Sequence, residues 1–157
     1  MTPDPNLDPT PDTTAHSDRK AWMGLLARAS PGQLAGLLPD LPAHDILRAP
    51  EIGAVMVRGR IGGTGAPFNL GEMTVTRCVL RLADGVVGHA HVQGRDRAHA
   101  LRAAVVDALM QTDAAANLRQ TVLTPLQTAE TTRRTTRASK AAATRVEFFT
   151  LVRGEDQ

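Results

Sequence analysis

Apolar positions recur at helical spacing at Trp22, Leu25, Leu26 and Ala29, which predicts a helix starting near Asp18. Ser30-Pro31 reads as an N-cap followed by a proline at the first helical position. The short helix it opens carries Leu34, Leu37 and Leu38 and is stopped by Pro39 and Pro42. His44 to Pro50 then lead into Ile52-Gly53-Ala54-Val55-Met56-Val57-Arg58, whose β-branched and apolar character predicts a strand. Gly59 to Gly71 is rich in glycine and reads as a loop with particular backbone demands.

Period-two alternation resumes from Met73 to Leu82, with Thr74, Thr76, Cys78, Leu80 and Leu82 on one face. Met73, Val75, Arg77, Val79 and Arg81 form the other. Asp84-Gly85 is a hairpin signal, and Val86 to Val92 reads as the returning strand, so the sheet is expected to be antiparallel. After Gly94-Arg95-Asp96, the positions Leu101, Ala104, Val105, Ala108 and Leu109 trace the stripe of a helix packed on that sheet. Leu118, Val122, Leu123, Leu126 and Ala129 keep helical spacing, but Pro125 should kink or break the helix. Thr131 to Thr144 is weakly apolar and strongly basic. Val146 to Val152 reads as a final strand, whose adjacent Phe148 and Phe149 call for a sheet partner, in this chain or a neighbouring one. The fold class expected is α/β in the broad sense, more narrowly α+β: an antiparallel sheet packed by helices, with an extended helical C-terminal segment and a terminal strand pairing with a partner subunit.

Composition refines this picture. The 157 residues suit one domain. Aromatic residues are only 3% and tyrosine is absent, so Ala, Leu and Val must build the core. A core of such small pieces is often completed by a partner's surface. Residues 1–17 alternate Pro3, Pro5, Pro9 and Pro11 with Asp and Thr and are expected to form a disordered tail, leaving 18–154 as a single domain. All 18 basic side chains lie beyond Asp18, and 16 of them are Arg, whose planar donor fork suits anions and interfaces. The lone Cys78 excludes an internal disulfide and fits a reducing cytoplasm. The N-terminus has no basic start followed by an apolar run, and no apolar stretch approaches the roughly 20 residues of a membrane span.

Candidate chemistry concentrates in Arg58-Gly59-Arg60-Ile61-Gly62-Gly63-Thr64-Gly65-Ala66-Pro67-Phe68-Asn69-Leu70-Gly71-Glu72. Glycine backbone can approach a phosphate closely, and Arg58 and Arg60 can add charge-assisted hydrogen bonds. Yet the segment lacks the Gly-Lys-Ser/Thr ending of a phosphate loop, and Phe68 stands where a dinucleotide fingerprint needs its last glycine. Two readings stay open: direct ligand contact, or a turn packed against a partner. The ligand or interface candidates are Arg58, Arg60, Gly62, Gly63, Thr64, Asn69, Glu72 and Arg77.

His89 and His91 share a strand face, but no third metal ligand is near in sequence. Asp96 reads as a simple N-cap. Arg133, Arg137, Lys140 and Thr144 share a helical face with Arg134 close by, and a segment 131–145 of this kind suits an acidic partner or nucleic acid. It lacks aromatic side chains for base stacking, so nucleic acid is the weaker of the two. No catalytic constellation is present: Glu51 and Glu72 flank the glycine segment without forming a recognisable acid–base pair.

Trp22 with Leu26-Ala27, and Arg48-Ala49-Pro50-Glu51, resemble the N-terminal half of the G subunit of the bacterial carbon–phosphorus lyase core complex. The run Val57 to Gly65, continued by Phe68-Asn69-Leu70-Gly71-Glu72, is similar to that family's signature. Thr76-Arg77-Cys78, Gly85, Gly88, Gly94-Arg95-Asp96, Asp107-Ala108-Leu109 and Lys140 to Thr150 continue the match. The resemblance implies an accessory subunit that acts with the H and I subunits and, functionally, an ATPase-like L protein. In that reaction a phosphonate displaces adenine from ATP, giving ribose 1-phosphonate 5-triphosphate. The J subunit later cleaves the carbon–phosphorus bond by radical iron–sulfur chemistry. The adenine-displacing step is attributed chiefly to the I subunit. No catalytic residue and no cofactor are expected on this chain, although the complex uses ATP as substrate. The alternative is a free-standing nucleic-acid-binding module built on residues 131–145.

Overall fold

The computed structural model describes residues 13–144. The Phe148-Phe149 strand and the first twelve residues lie outside that range. Helix α1 runs Thr13–Arg28, so it starts at Thr13 rather than near Asp18. Helix α2 (Pro31–Leu37) follows with Ser30 at its N-cap position and Pro31 inside its first turn. Three strands, β1 (His44–Arg60), β2 (Pro67–Leu82) and β3 (Val87–Gln93), form an antiparallel sheet in the order β1-β2-β3. Helix α3 (Arg97–Leu109) crosses the sheet. The short α4 (Ala115–Leu118) leads through a π-helical turn (Arg119–Leu123) into α5 (Thr124–Ala143).

One sheet face makes the core. Opposite pairs Thr76–Val92, Cys78–Ala90 and Leu80–Gly88 lie under α3, and every residue of these pairs is buried. The approach of α3 is set by small residues: Ala100, Ala103, Ala104 and Ala108 are all at most 1% exposed. A Cβ on Gly88 would collide with the Ala104 carbonyl and stand 2.8 Å from both Cβ and N of Ala108. Glycine is required there because helix backbone occupies the space of a side chain. Trp22, Leu25 and Leu26 of α1, Leu34 of α2, and Leu118, Val122, Leu123 and Leu126 close the core around α3. Helix α3 is therefore enclosed on several sides. Ala103 and Val106 are buried outside the expected stripe, while Leu101 and Leu109 at its margins are only half-buried.

Two details follow from local chemistry. Asp96 caps α3 by accepting the His99 amide at 2.8 Å. Pro125, which lacks a backbone donor, is accommodated by the π turn immediately before it. There the Thr124 hydroxyl donates to the Arg119 carbonyl at 2.8 Å, and the helix resumes instead of breaking.

The glycine-rich segment is the largest departure from expectation. It is mostly strand rather than loop. Strand β1 continues to Arg60 and β2 begins at Pro67, with Arg60 opposite Pro67 and Gly59 opposite Phe68. Only the tip between them turns, through a 3-10 turn at Ile61–Gly63 in which Gly62 and Gly63 adopt φ of 60° and 85°. The result is a long two-stranded arm. Phe68 explains how Gly59 is tolerated in the ladder: its ring lies 3.5 Å from where the missing Cβ would stand.

Candidate functional site

The arm gathers most of the sequence candidates. Arg58 stands opposite Asn69, and Met56 opposite Glu72, with a register irregularity between Val57 and Arg58 that leaves Leu70 unpaired. Gly62, Gly63 and Thr64 sit at the tip. Arg77 does not join them. It lies eight residues from Asn69, roughly 27 Å along the strand, and forms an ion pair at 3.8 Å with Glu51, which also meets Arg48 at 3.1 Å. At the tip the Arg60 guanidinium donates to the Gly65 carbonyl at 3.1 Å. The Ile61, Thr64 and Gly65 amides donate to carbonyls of the turn itself. These bonds close a stable turn and occupy three of the amides that a phosphate cradle would present.

What the arm does present is apolar surface. The large hydrophobic side chains that are exposed among the described residues are Ile46, Leu47, Ile52, Met56, Ile61, Phe68 and Leu70. All seven lie on β1, the tip or the start of β2. Leu70 is 66% exposed and Ile61 64%. Met56, Ile61, Phe68 and Leu70 project on the arm, whereas Ile46, Leu47 and Ile52 edge the three-stranded part of the sheet. Isolated exposed leucines are ordinary, but four such side chains on one arm mark an interaction surface.

Two buried carboxylates were not singled out by sequence reasoning. Asp107, fully buried in α3, accepts Arg19 Nε and Nη2 at 3.1 and 2.6 Å, the Trp22 indole at 2.9 Å and the His89 amide at 2.9 Å. It joins α1, α3 and β3 at one point, which is positioning work rather than chemistry. Its signal in the sequence was an aspartate within an otherwise apolar helical run. Glu130 is 6% exposed and accepts Arg28 Nε and Nη2 at 2.8 and 3.4 Å. The Arg28 hydrogen bond holds its carboxyl below the ordinary glutamate range; burial opposes, and the charges of Arg28, Arg134 and Arg133 reinforce.

Histidine and cysteine show no reactive arrangement. Among the described residues no three His, Cys, Asp or Glu side chains cluster closely enough to hold a metal. His99 is buried; its Nε2 lies 3.0 Å from the Leu26 carbonyl, and burial pushes its pKa down. Burial pushes the Cys78 thiol up, away from reactivity. The basic stretch 131–144 is an exposed part of α5. Its Arg133, Arg134 and Arg137 meet Arg28, Gln93 and Glu130 around a cleft of about 320 Å³.

Fold and surface together define a small α+β protein whose core carries a projecting hairpin arm and a long C-terminal helix. A family model described as phosphonate metabolism protein PhnG matches residues 17–154, and the chain belongs to this family. It is similar to a protein of Rhizobium meliloti (strain 1021) named alpha-D-ribose 1-methylphosphonate 5-triphosphate synthase subunit PhnG. The two are 47% identical over 154 residues, spanning 94% of this chain and 96% of the relative. No helix among the described residues is long and apolar enough to cross a membrane.

Proposed function

We propose that this chain is the accessory G subunit of alpha-D-ribose 1-methylphosphonate 5-triphosphate synthase, the transferase in which a phosphonate displaces adenine from ATP. The observation that carries the reading is the 47% identity over almost the whole of both chains. The chain itself contributes scaffolding rather than reacting groups, and it is inactive alone. Its partners are the H, I and J subunits of the carbon–phosphorus lyase core complex, with the L protein acting alongside, in the cytoplasm.

The arm is the docking element. A two-stranded hairpin is marginally stable by itself in water, and this one exposes Met56, Ile61, Phe68 and Leu70. Burying such side chains against another chain yields about 1.5–3 kcal/mol each when complete. Arg58, Asn69 and Glu72 on the same projection supply polar contacts around that apolar surface. Purification of the tagged chain should bring down H, I and J at fixed stoichiometry. A monomer that ignores all three contradicts the proposal.

Arg60 separates docking from ligand contact. Because its guanidinium holds the Gly65 carbonyl, Arg60→Ala should loosen the tip and weaken assembly. The Michaelis constants for ATP and methylphosphonate should stay unchanged in the complex that does form. A raised constant for either substrate with assembly intact would place Arg60 on ligand instead.

A further inference from the structure

Four arginines converge where α1 ends and the exposed part of α5 begins. Arg28 is the last residue of α1, Gln93 the last of β3, and Glu130, Arg133, Arg134 and Arg137 share one face of α5 at spacings of three and four. Together they line a concave cleft of about 320 Å³, a size within the range of small-ligand sites. The family resemblance assigns these residues no role.

The charge in the cleft is unbalanced. Four guanidiniums face one carboxylate. Glu130 holds Arg28 through two hydrogen bonds and approaches Arg134 Nε only at 4.0 Å. Arg133 donates to the Arg28 carbonyl at 3.3 Å, a bond that fixes its position without neutralising it. Arg137 makes no ion pair among the described residues. Like charges gathered in a concavity repel one another, and the repulsion is relieved by a multivalent anion. Arginine forks bind phosphate oxygens bidentately, and here Arg28 and Arg133 are oriented before the anion arrives. The Glu130 carboxylate faces the same space; because it is already engaged by Arg28, it positions cations more than it repels the anion. Gln93 adds an uncharged amide at the strand end.

We propose that this cleft binds a polyphosphate group: the triphosphate of a nucleoside 5′-triphosphate or of a ribosyl 5-triphosphate. The choice of triphosphate among polyanions rests on the synthase function proposed above; the anion site itself rests on the arginine geometry.

Calorimetric titration of the full-length chain with inorganic tripolyphosphate, ATP and adenosine tests it. Tripolyphosphate and ATP should bind, more weakly as salt rises, and adenosine should not. The double variant Arg133→Gln/Arg137→Gln alters only exposed side chains and should keep its circular-dichroism spectrum. Its affinity for tripolyphosphate should fall about tenfold or more, since hydrogen bonds to charged groups are worth that much. Gln93→Glu, which adds a carboxylate to the cleft, should weaken the same binding. Arg95→Gln/Arg97→Gln removes equal charge outside the cleft and should leave it intact. No tripolyphosphate binding at millimolar concentration, or equal affinity in the Arg133/Arg137 variant, overturns the proposal. So does loss of partner subunits from that variant with tripolyphosphate affinity unchanged, which makes the cleft a protein interface. Failure of the synthase assignment is read separately, in copurification and phosphonate-dependent adenine release by the wild-type complex.

Discussion

The two halves of the sheet obey different rules. Where β2 and β3 lie under α3, alternate positions are buried to a few per cent, and alanines, a glycine and a four-donor aspartate hold strand and helix together. Where β1 pairs with the first half of β2, no position from 67 to 72 is buried and large apolar side chains face outward. The first region satisfies itself and the second does not. One sheet thus contains a finished core and an unfinished surface, joined by continuous strands, so the core can present the arm in a fixed orientation. The far part of α5 is similar: residues 131–144 are exposed throughout. Its Thr131, Thr132 and Thr135 hydroxyls bond carbonyls four residues back.

This contrast can be broken first in the packed half. Asp107→Ala leaves Arg19, the Trp22 indole and the His89 amide without their acceptor. The loss should be about 3–5 kcal/mol, read as a shift of the chemical-denaturation midpoint. An effect below about 1 kcal/mol would mean that the core does not depend on this node. Gly88→Ala should come next, at about 1–3 kcal/mol, because backbone of α3 must move to admit one methyl group.

Glu130→Gln tests the contact between α1 and α5. Its pKa is held down in the folded chain, so its stabilisation is present above the ordinary glutamate range and lost as pH falls through the depressed value. The variant should be less stable than wild type at neutral pH by about 1 kcal/mol, since Arg28 is partly exposed. The gap should close in acid. A gap that widens as pH falls would reverse the assigned sign.

The packed half was the legible half. The Asp96 cap, the Asp84-Gly85 turn and the alternation around Cys78 and Leu80 each carry their structure in local chemistry. Gly85 adopts φ of 90° and the Val86 amide bonds the Asp84 carboxylate. The expected α3 stripe is narrower than the buried surface, which includes Ala103 and Val106, because a helix enclosed on several sides has no single apolar face. The arm reads as loop in the sequence because Gly59 and Gly71 interrupt the strand pattern, and the side chains that fill the space at Gly59, those of Phe68 and Leu70, come from the opposite strand. Arg77 shares the candidate set with the tip residues, yet the length of β2 carries it away from them. The arginine cleft was half visible as a basic helical face. Its other half, Arg28 and Gln93, arrives from distant sequence, which no spacing rule reveals.

The arm supplies the smallest stability effect and the most decisive test. Met56→Ser/Ile61→Ser/Leu70→Ser changes only exposed side chains and should shift stability by less than about 0.5 kcal/mol per site. The measurement is copurification of the tagged triple variant with the H, I and J subunits, alongside its melting temperature. The account predicts a near-normal melt and loss of the partners. Full recovery of all three subunits at wild-type stoichiometry would contradict it.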